Sequence, residues 1–188
     1  MALEGKLTLL REERKEDLPL LLELRNDLDT QGWSKTLPPD YTLPMYEKQF
    51  EGREFSFDRY DGRFVIEHKK SGQIAGNIRY YWLDPRMSVT IGIAVSKSFW
   101  GTGVAYDAQE ILLHFLFIEL GLRVVRLWTH SGNVHAIKLA ERSGFQIAAR
   151  RRQSIIKNGQ LFDNIVMDLL REEYFANHPE LTDELPPL

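Results

Sequence analysis

The sequence predicts a mixed α/β fold, and three observations carry that prediction. Apolar residues recur with a period of two from Arg63 to Val95. They recur at three and four from Val104, and at two again after Arg123. Glycine, proline and asparagine fall between these runs, where turns belong. The chain has 188 residues, the size of one domain with its own core.

The elements follow in order. Leu7 to Arg11 is the first strand. Asp17 precedes an apolar helical run through Leu18, Leu20, Leu21, Leu22 and Leu24. Residues 28 to 44 read as a loop, because Gly32, Pro38 and Pro39 interrupt them. A short second helix covers Met45 to Phe50. Arg63 to His68 and Gln73 to Trp82 form a hairpin about Ser71-Gly72, and Asp84-Pro85 ends it. Val89 to Val95 is almost wholly apolar or small, which suits a central strand. Val104, Ala108, Ile111, Leu112, Phe115 and Ile118 mark a long helix that Gly121 caps. Arg123 to Thr129 is a strand and Asn133 to Arg142 a helix stopped by Gly144. Phe145 to Ile156 and Leu161 to Leu170 close the chain as a hairpin about Lys157-Asn158-Gly159. The passage from Val89 to Thr129 predicts a right-handed parallel crossover. The tail from Tyr174 is expected to be loose.

Composition removes several function classes. There is no cysteine, so disulfides, thiolate metal sites and a cysteine nucleophile are excluded. The N-terminus is charged where a signal peptide needs an apolar run. Ile111 to Leu122 is too short for a bilayer and contains His114 and Glu119. The net charge of −3 argues against a nucleic-acid partner. A cytoplasmic protein with no membrane partner and no metal is expected.

The informative segment is Val95-Ser-Lys-Ser-Phe-Trp-Gly-Thr-Gly-Val-Ala105. A buried strand runs into a glycine turn from which a long helix starts. Gly101 and Gly103 permit backbone conformations closed to other residues. The open N–H groups and dipole of a helix's first turn favour an anion, phosphate above all. A glycine pair before a helix is also an ordinary tight turn. It is not a dinucleotide fingerprint, because Tyr106 holds the place of the third glycine, and no Gly-Lys-Ser/Thr follows as in a Walker loop.

Trp100-Gly-Thr-Gly-Val-Ala105 resembles the acetyl-CoA diphosphate loop of the GNAT superfamily, Gln/Arg-x-x-Gly-x-Gly/Ala. Gly103 and Ala105 match. Trp100 replaces the Gln/Arg, as in the RimJ/RimL-like branch. FLFIELGL from Phe115, NVHAIKLAERSGF from Asn133 and NGQLFDNIVMDLLREE from Asn158 resemble later segments of that branch in order. LTLLREERKEDLPLLLELRND fits its N-terminal segment. The resemblance runs from Leu7 to Tyr174. It implies a GNAT domain over residues 1–174 and a tail over 175–188. It implies a mostly antiparallel six- to seven-stranded sheet, helices on both faces, and a parallel central pair splayed around acetyl-CoA. It also implies transfer of an acetyl group to a primary amine. The pantetheine would pair with the backbone of Val95, Ser96 and Lys97. The diphosphate would rest on amides of Trp100, Gly101, Thr102, Gly103, Val104 and Ala105, and Asn133 would hold the pantetheine arm. The bland roles are a helix N-cap for Asn133, packing against the sheet for Trp100, and solvation for Lys97 and Ser98.

The resemblance leaves the proton carriers open. Many members carry a Tyr seven residues after the motif Asn, where this chain has Ala140. Ser88 and Thr90 stand where a carboxylate would serve as base. His130 is the titratable candidate by position, against the alternative of a surface-loop histidine. His135 and His178 read as solvated. Asp163 matches an Asp of that branch and is read as a cross-hairpin contact, with a role facing the substrate as the alternative. Trp33 and Tyr81 are the acceptor-site candidates, with core packing as the alternative. Arg150-Arg151-Arg152 is a basic patch, read as a solvated face, with an acidic acceptor or the CoA 3′-phosphate as the alternative. The expected acceptor is a protein N-terminus, a polyamine, an aminoglycoside or another small amine. The expected assembly is a monomer or homodimer. The alternative to an enzyme is a non-catalytic CoA-binding or interaction module of the same fold.

Overall fold

The structure is a computed structural model that describes residues 2–33, 41–54 and 60–184. Its strands are β1 (Ala2–Glu4), β2 (Thr8–Glu12), β3 (Gly62–His68), β4 (Gln73–Asp84), β5 (Ser88–Val95), β6 (Val124–His130), β7 (Gln146–Lys157) and β8 (Gln160–Leu170). They form one sheet in the order β1-β2-β3-β4-β5-β6-β8-β7. The sheet has eight strands rather than the expected six to seven, and β1, three residues paired with β2, is one that the sequence did not announce. The sheet is antiparallel except for β5 and β6, as the crossover predicted. That parallel ladder registers Ser88, Val89 and Thr90 opposite Val124, Val125 and Arg126. It ends there, while β5 runs on to Val95 and β6 to His130.

The helices are α1 (Leu18–Asn26), α2 (Leu28–Gln31), α3 (Leu43–Glu54), α4 (Val104–His114), α5 (Val134–Arg142) and α6 (Arg171–Asn177). The short α2 lies inside the predicted loop of residues 28 to 44. Asp27 caps it by accepting from the amides of Asp29 and Thr30. Residues 34–40 of that loop, Pro38 and Pro39 included, lie outside the described residues. α4 buries Val104, Ala108 and Leu112 completely. Each such Leu contributes roughly 1.5–3 kcal/mol of transfer free energy.

The chain divides into two compact units. The first holds Met1–Tyr80 and Ile93–Ile111. A charged cluster joins β2, β3 and the start of α1 within it. Arg11 donates to both carboxylate oxygens of Asp17, at 2.7 and 2.9 Å, and to Glu67 at 2.8 Å. The Arg14 amide gives Asp17 a further bond at 2.8 Å. Burial alone would raise the Asp17 pKa. The hydrogen bonds and charge of Arg11, with the Arg14 amide, overcome that and hold it below the usual carboxylate value.

The second unit holds Tyr81–Gly92 and Leu112–Leu188. α4 passes into a π-helical turn at Phe115–Glu119 before Gly121, whose φ of 62° fits the predicted cap. The expectation of a loose tail is corrected: α6 follows β8 directly, and Tyr174 and Phe175 are buried in it. Tyr174 stacks on Phe117 with ring centroids 4.7 Å apart. Arg171 donates to the carbonyls of Phe117 and Leu122, which fastens α6 to the π-turn. Asn158 and Gly159, at φ 51° and 74°, make the predicted tight turn of the β7–β8 hairpin.

Candidate active site

The glycine turn is built by its neighbours in the first unit. β4 contributes Gly76, where any Cβ would collide with the Ala94 carbonyl. Only glycine lets β4 pass so close to the end of β5. The Ser96 amide then donates to the Ala75 carbonyl at 2.8 Å, which fixes where β5 stops. A 3-10 turn, Lys97–Phe99, follows. Trp100 closes it from outside: the ring is 48% exposed, and its indole N–H donates to the Val95 carbonyl at 2.8 Å. Trp100 thus splints the turn. Lys97 reaches Asp29 at 2.6 Å, and this bond raises its pKa. Ser96 and Ser98 share a hydroxyl contact at 3.0 Å.

The amides from Trp100 to Ala105 divide into two sets. Trp100 donates to Lys97 at 3.2 Å and Thr102 to Phe99 at 3.4 Å, both closing the turn itself. Val104 leans on the Thr102 hydroxyl at 3.5 Å. The amides of Gly101, Gly103 and Ala105 donate to no group among the described residues. Gly101 and Gly103 hold φ of 74° and 88°, conformations that favour glycine. A Cβ on Gly101 would meet nothing within 4 Å, so this corner of the turn is open on its Cβ side. Three unspent N–H groups at the N-terminus of α4 fit a diphosphate. Alternate amides of the six are thus left open, because the others complete the turn.

The second unit carries His130, Asn133 and Tyr81, and the first carries Trp33. His130 is the last residue of β6 and is fully buried, so the surface-loop alternative is corrected. Its ring lies edge-on to Trp128, with centroids 6.0 Å apart, and it is registered opposite Asn164. Its carbonyl accepts from the Asn133 amide at 2.8 Å. Asn133 is the N-cap of α5, and its Oδ1 accepts from Ala136 at 3.4 Å. Its Nδ2 has no partner among the described residues, so capping leaves a donor for a ligand. Ala140, at the place of the family's Tyr, is buried. Ser88 accepts from Arg126 at 2.7 Å, and Thr90 is buried beside it on β5.

The acceptor candidates stand apart from one another in the chain. Trp33 is half-buried after α2. Tyr81 is half-buried in β4 and lies edge-on to the exposed Trp82 at 4.8 Å. Asp163 takes the cross-hairpin role: it accepts from the Gln153 amide at 3.0 Å and from Arg150 at 3.2 Å, and these bonds lower its pKa. Arg151 and Arg152 are exposed on β7. His135 is exposed, whereas His178 is not simply solvated: it lies on Tyr174 at 4.3 Å and contacts that residue's carbonyl at 2.8 Å. Among the described residues, no group of three His, Asp or Glu is placed to share a metal ion. No described helix is long and apolar enough to cross a membrane.

A mixed sheet with one parallel pair, and a glycine turn of open amides leading into a helix, define an α/β protein. Residues 8–146 match the Acetyltransferase (GNAT) domain family. The SPbeta prophage-derived uncharacterized N-acetyltransferase YokL of Bacillus subtilis is 31% identical over 134 residues, 70% of this chain and 71% of that protein. The uncharacterized N-acetyltransferase p20 of Bacillus licheniformis is 24% identical over 166 residues, 88% of this chain and 93% of that one. The fold is shared with a spermidine N-acetyltransferase of Vibrio cholerae, crystallised with CoA and spermine. The TM-score is 0.79 at 22% identity, over 88% of this chain and 96% of that one. A GCN5-related N-acetyltransferase of Brucella melitensis superposes with a TM-score of 0.77 at 22% identity, over 99% and 86% of the two chains. The chain belongs to the GNAT acetyltransferase family and is an N-acetyltransferase.

Sequence reasoning missed two parts of this site. Gly76 lies inside the predicted strand Gln73 to Trp82, where a glycine signals close backbone approach. Asp107, on the first turn of α4, carried no signal in its neighbours. Its partners lie about a hundred positions away.

Proposed function

We propose that the chain binds acetyl-CoA with its diphosphate on the amides of Gly101, Gly103 and Ala105, and transfers the acetyl group to a primary amine. The observation that carries this reading is the set of three unspent amides, two of them at positive-φ glycines. The backbone from Val95 to Lys97 aligns the pantetheine arm, and the Asn133 Nδ2 donates to it. On the Trp100-Gly-Thr-Gly motif we assign the chain to the RimJ/RimL-like branch.

Bound acetyl-CoA supplies an activated acetyl thioester. The chain must supply the rest. An alkyl ammonium has a pKa near 10.4, so presenting the neutral amine at pH 7 costs roughly 4–5 kcal/mol. We assign proton removal to His130 on its position at the end of β6, and support of the developing thioester oxygen to the Val95 amide. No tyrosine stands at the usual acid position, so the departing sulfur takes its proton from solvent or the acceptor. Trp33 and Tyr81 are assigned to the acceptor. A protein N-terminus and a small amine both satisfy this chemistry, and spermine in the Vibrio cholerae complex supports the second.

The test is release of free thiol from acetyl-CoA in the presence of spermidine, an aminoglycoside and a peptide with a free N-terminus. Thiol release with one class, lowered at least tenfold by His130→Gln, supports the reading. Tight CoA binding without thiol release from any amine contradicts it.

A further inference from the structure

An acidic residue in a helix's first turns ordinarily bends back to the helix's own open N–H groups. In α4 that would set a carboxylate against the amides proposed to hold the diphosphate. Asp107 does the opposite. Its Oδ1 accepts from the Lys6 amide at 3.1 Å. Its Oδ2 accepts from the amides of Leu7 and Thr8 at 3.0 and 2.9 Å and from the Thr8 hydroxyl at 2.7 Å. Three main-chain donors and one hydroxyl thus enclose the carboxylate. Thr8 is fully buried.

The turn between β1 and β2 is shaped for this contact. The Gly5 amide donates to the Thr8 carbonyl at 2.8 Å and closes the turn. A Cβ on Gly5 would collide with Asp107 Oδ2 and with Ile111. The same turn carries Leu7, whose Cδ1 lies 3.3 Å from where a Cβ of Gly103 would stand. The Asp107 amide donates back to the Gly103 carbonyl at 3.0 Å. The β1–β2 turn, Asp107 and Gly103 are therefore one linked unit.

We infer that Asp107 is a positioning residue for the diphosphate turn. Residues 5 to 8 draw its carboxylate away from the open amides and brace Gly103 through Leu7, so that the amides of Gly101, Gly103 and Ala105 stay free for an anion. This inference rests on the proposed diphosphate site, so the wild-type protein is measured first. Calorimetric titration with CoA is then repeated on Asp107→Asn, Thr8→Val and Thr8→Ser, with a thermal unfolding curve for each. Asp107→Asn puts an amide NH2 among three N–H donors and is expected to weaken CoA about tenfold at unchanged stoichiometry. Thr8→Val is expected to weaken CoA about threefold or more, while Thr8→Ser keeps the hydroxyl and binds like wild type. Tighter binding by Asp107→Asn would mean that the carboxylate acts only as a bare repelling charge, and would overturn the inference. So would variants that melt earlier or bind at lower stoichiometry with an unchanged Kd, which marks a purely structural role. No binding by the wild type removes the diphosphate reading and this inference with it, whereas wild-type binding with unaffected variants removes this inference alone.

Discussion

Replacing Gly101 by alanine separates backbone strain from ligand binding. Gly101 has φ 74° and open space where a Cβ would point, so the substitution adds no clash. Its cost is the left-handed conformation itself, about 1–2 kcal/mol for an L-residue. In a domain of this size that lowers Tm by roughly 2–8 °C. The chain relieves the strain by rotating φ toward negative values, which turns an unspent amide away from the ligand. Loss of one N–H bond to a charged group costs about 1.5–3 kcal/mol, so CoA affinity is expected to fall about tenfold to a hundredfold. Gly103→Ala adds a contact with Leu7 Cδ1 at 3.3 Å and should melt lower still. Gly72→Ala is the control: φ is 68°, a Cβ there meets nothing within 4 Å, and the residue lies in the β3–β4 turn. It should lose similar stability and bind CoA like wild type. Calorimetry and thermal unfolding on the three variants decide the matter. If Gly101→Ala binds CoA with wild-type affinity, or Gly72→Ala loses as much, the amide account is wrong.

Asp17→Ala leaves the half-buried Arg11 with only Glu67 as a charged partner and should cost about 3 kcal/mol in urea unfolding. Because the folded-state pKa of Asp17 is lowered, its contribution is complete above the ordinary carboxylate value. It is lost as pH falls through the lowered folded value, so the wild-type advantage over Asp17→Ala should shrink on acidification. An advantage that grows instead contradicts the assignment. Arg171→Met leaves the carbonyls of Phe117 and Leu122 without their guanidinium donor and should cost about 1–3 kcal/mol in the same assay. An unchanged unfolding midpoint would show that α6 is not fastened by this residue.

The order of strands and helices was legible because each rests on local pattern. The period change at Val104, the caps at Asn133 and Gly121, and the Asn158-Gly159 turn are all set by residues within a few positions. The glycine turn was legible for the same reason. What escaped depends on distant partners or on segments too short to show a period. β1 has three residues and exists through its pairing with β2. α2 is a single turn held by Asp27, a capping signal obscured by the prolines that follow. Arg171-Glu-Glu-Tyr-Phe places acids in a first turn and aromatics behind them, a helix signal that proximity to the chain end outweighed. Within the site, the split between spent and unspent amides could not be read from sequence, because it depends on how a 3-10 turn closes before α4. The clamp on Asp107 joins positions about a hundred residues apart.

The most direct measurement is an amide-resolved NMR titration of the labelled protein with CoA and, separately, with pantetheine, which lacks the diphosphate. The account predicts large shifts at Gly101, Gly103 and Ala105 with CoA, small ones at Trp100 and Thr102, and none at these positions with pantetheine. Saturable CoA binding that leaves those three amides unmoved would contradict it.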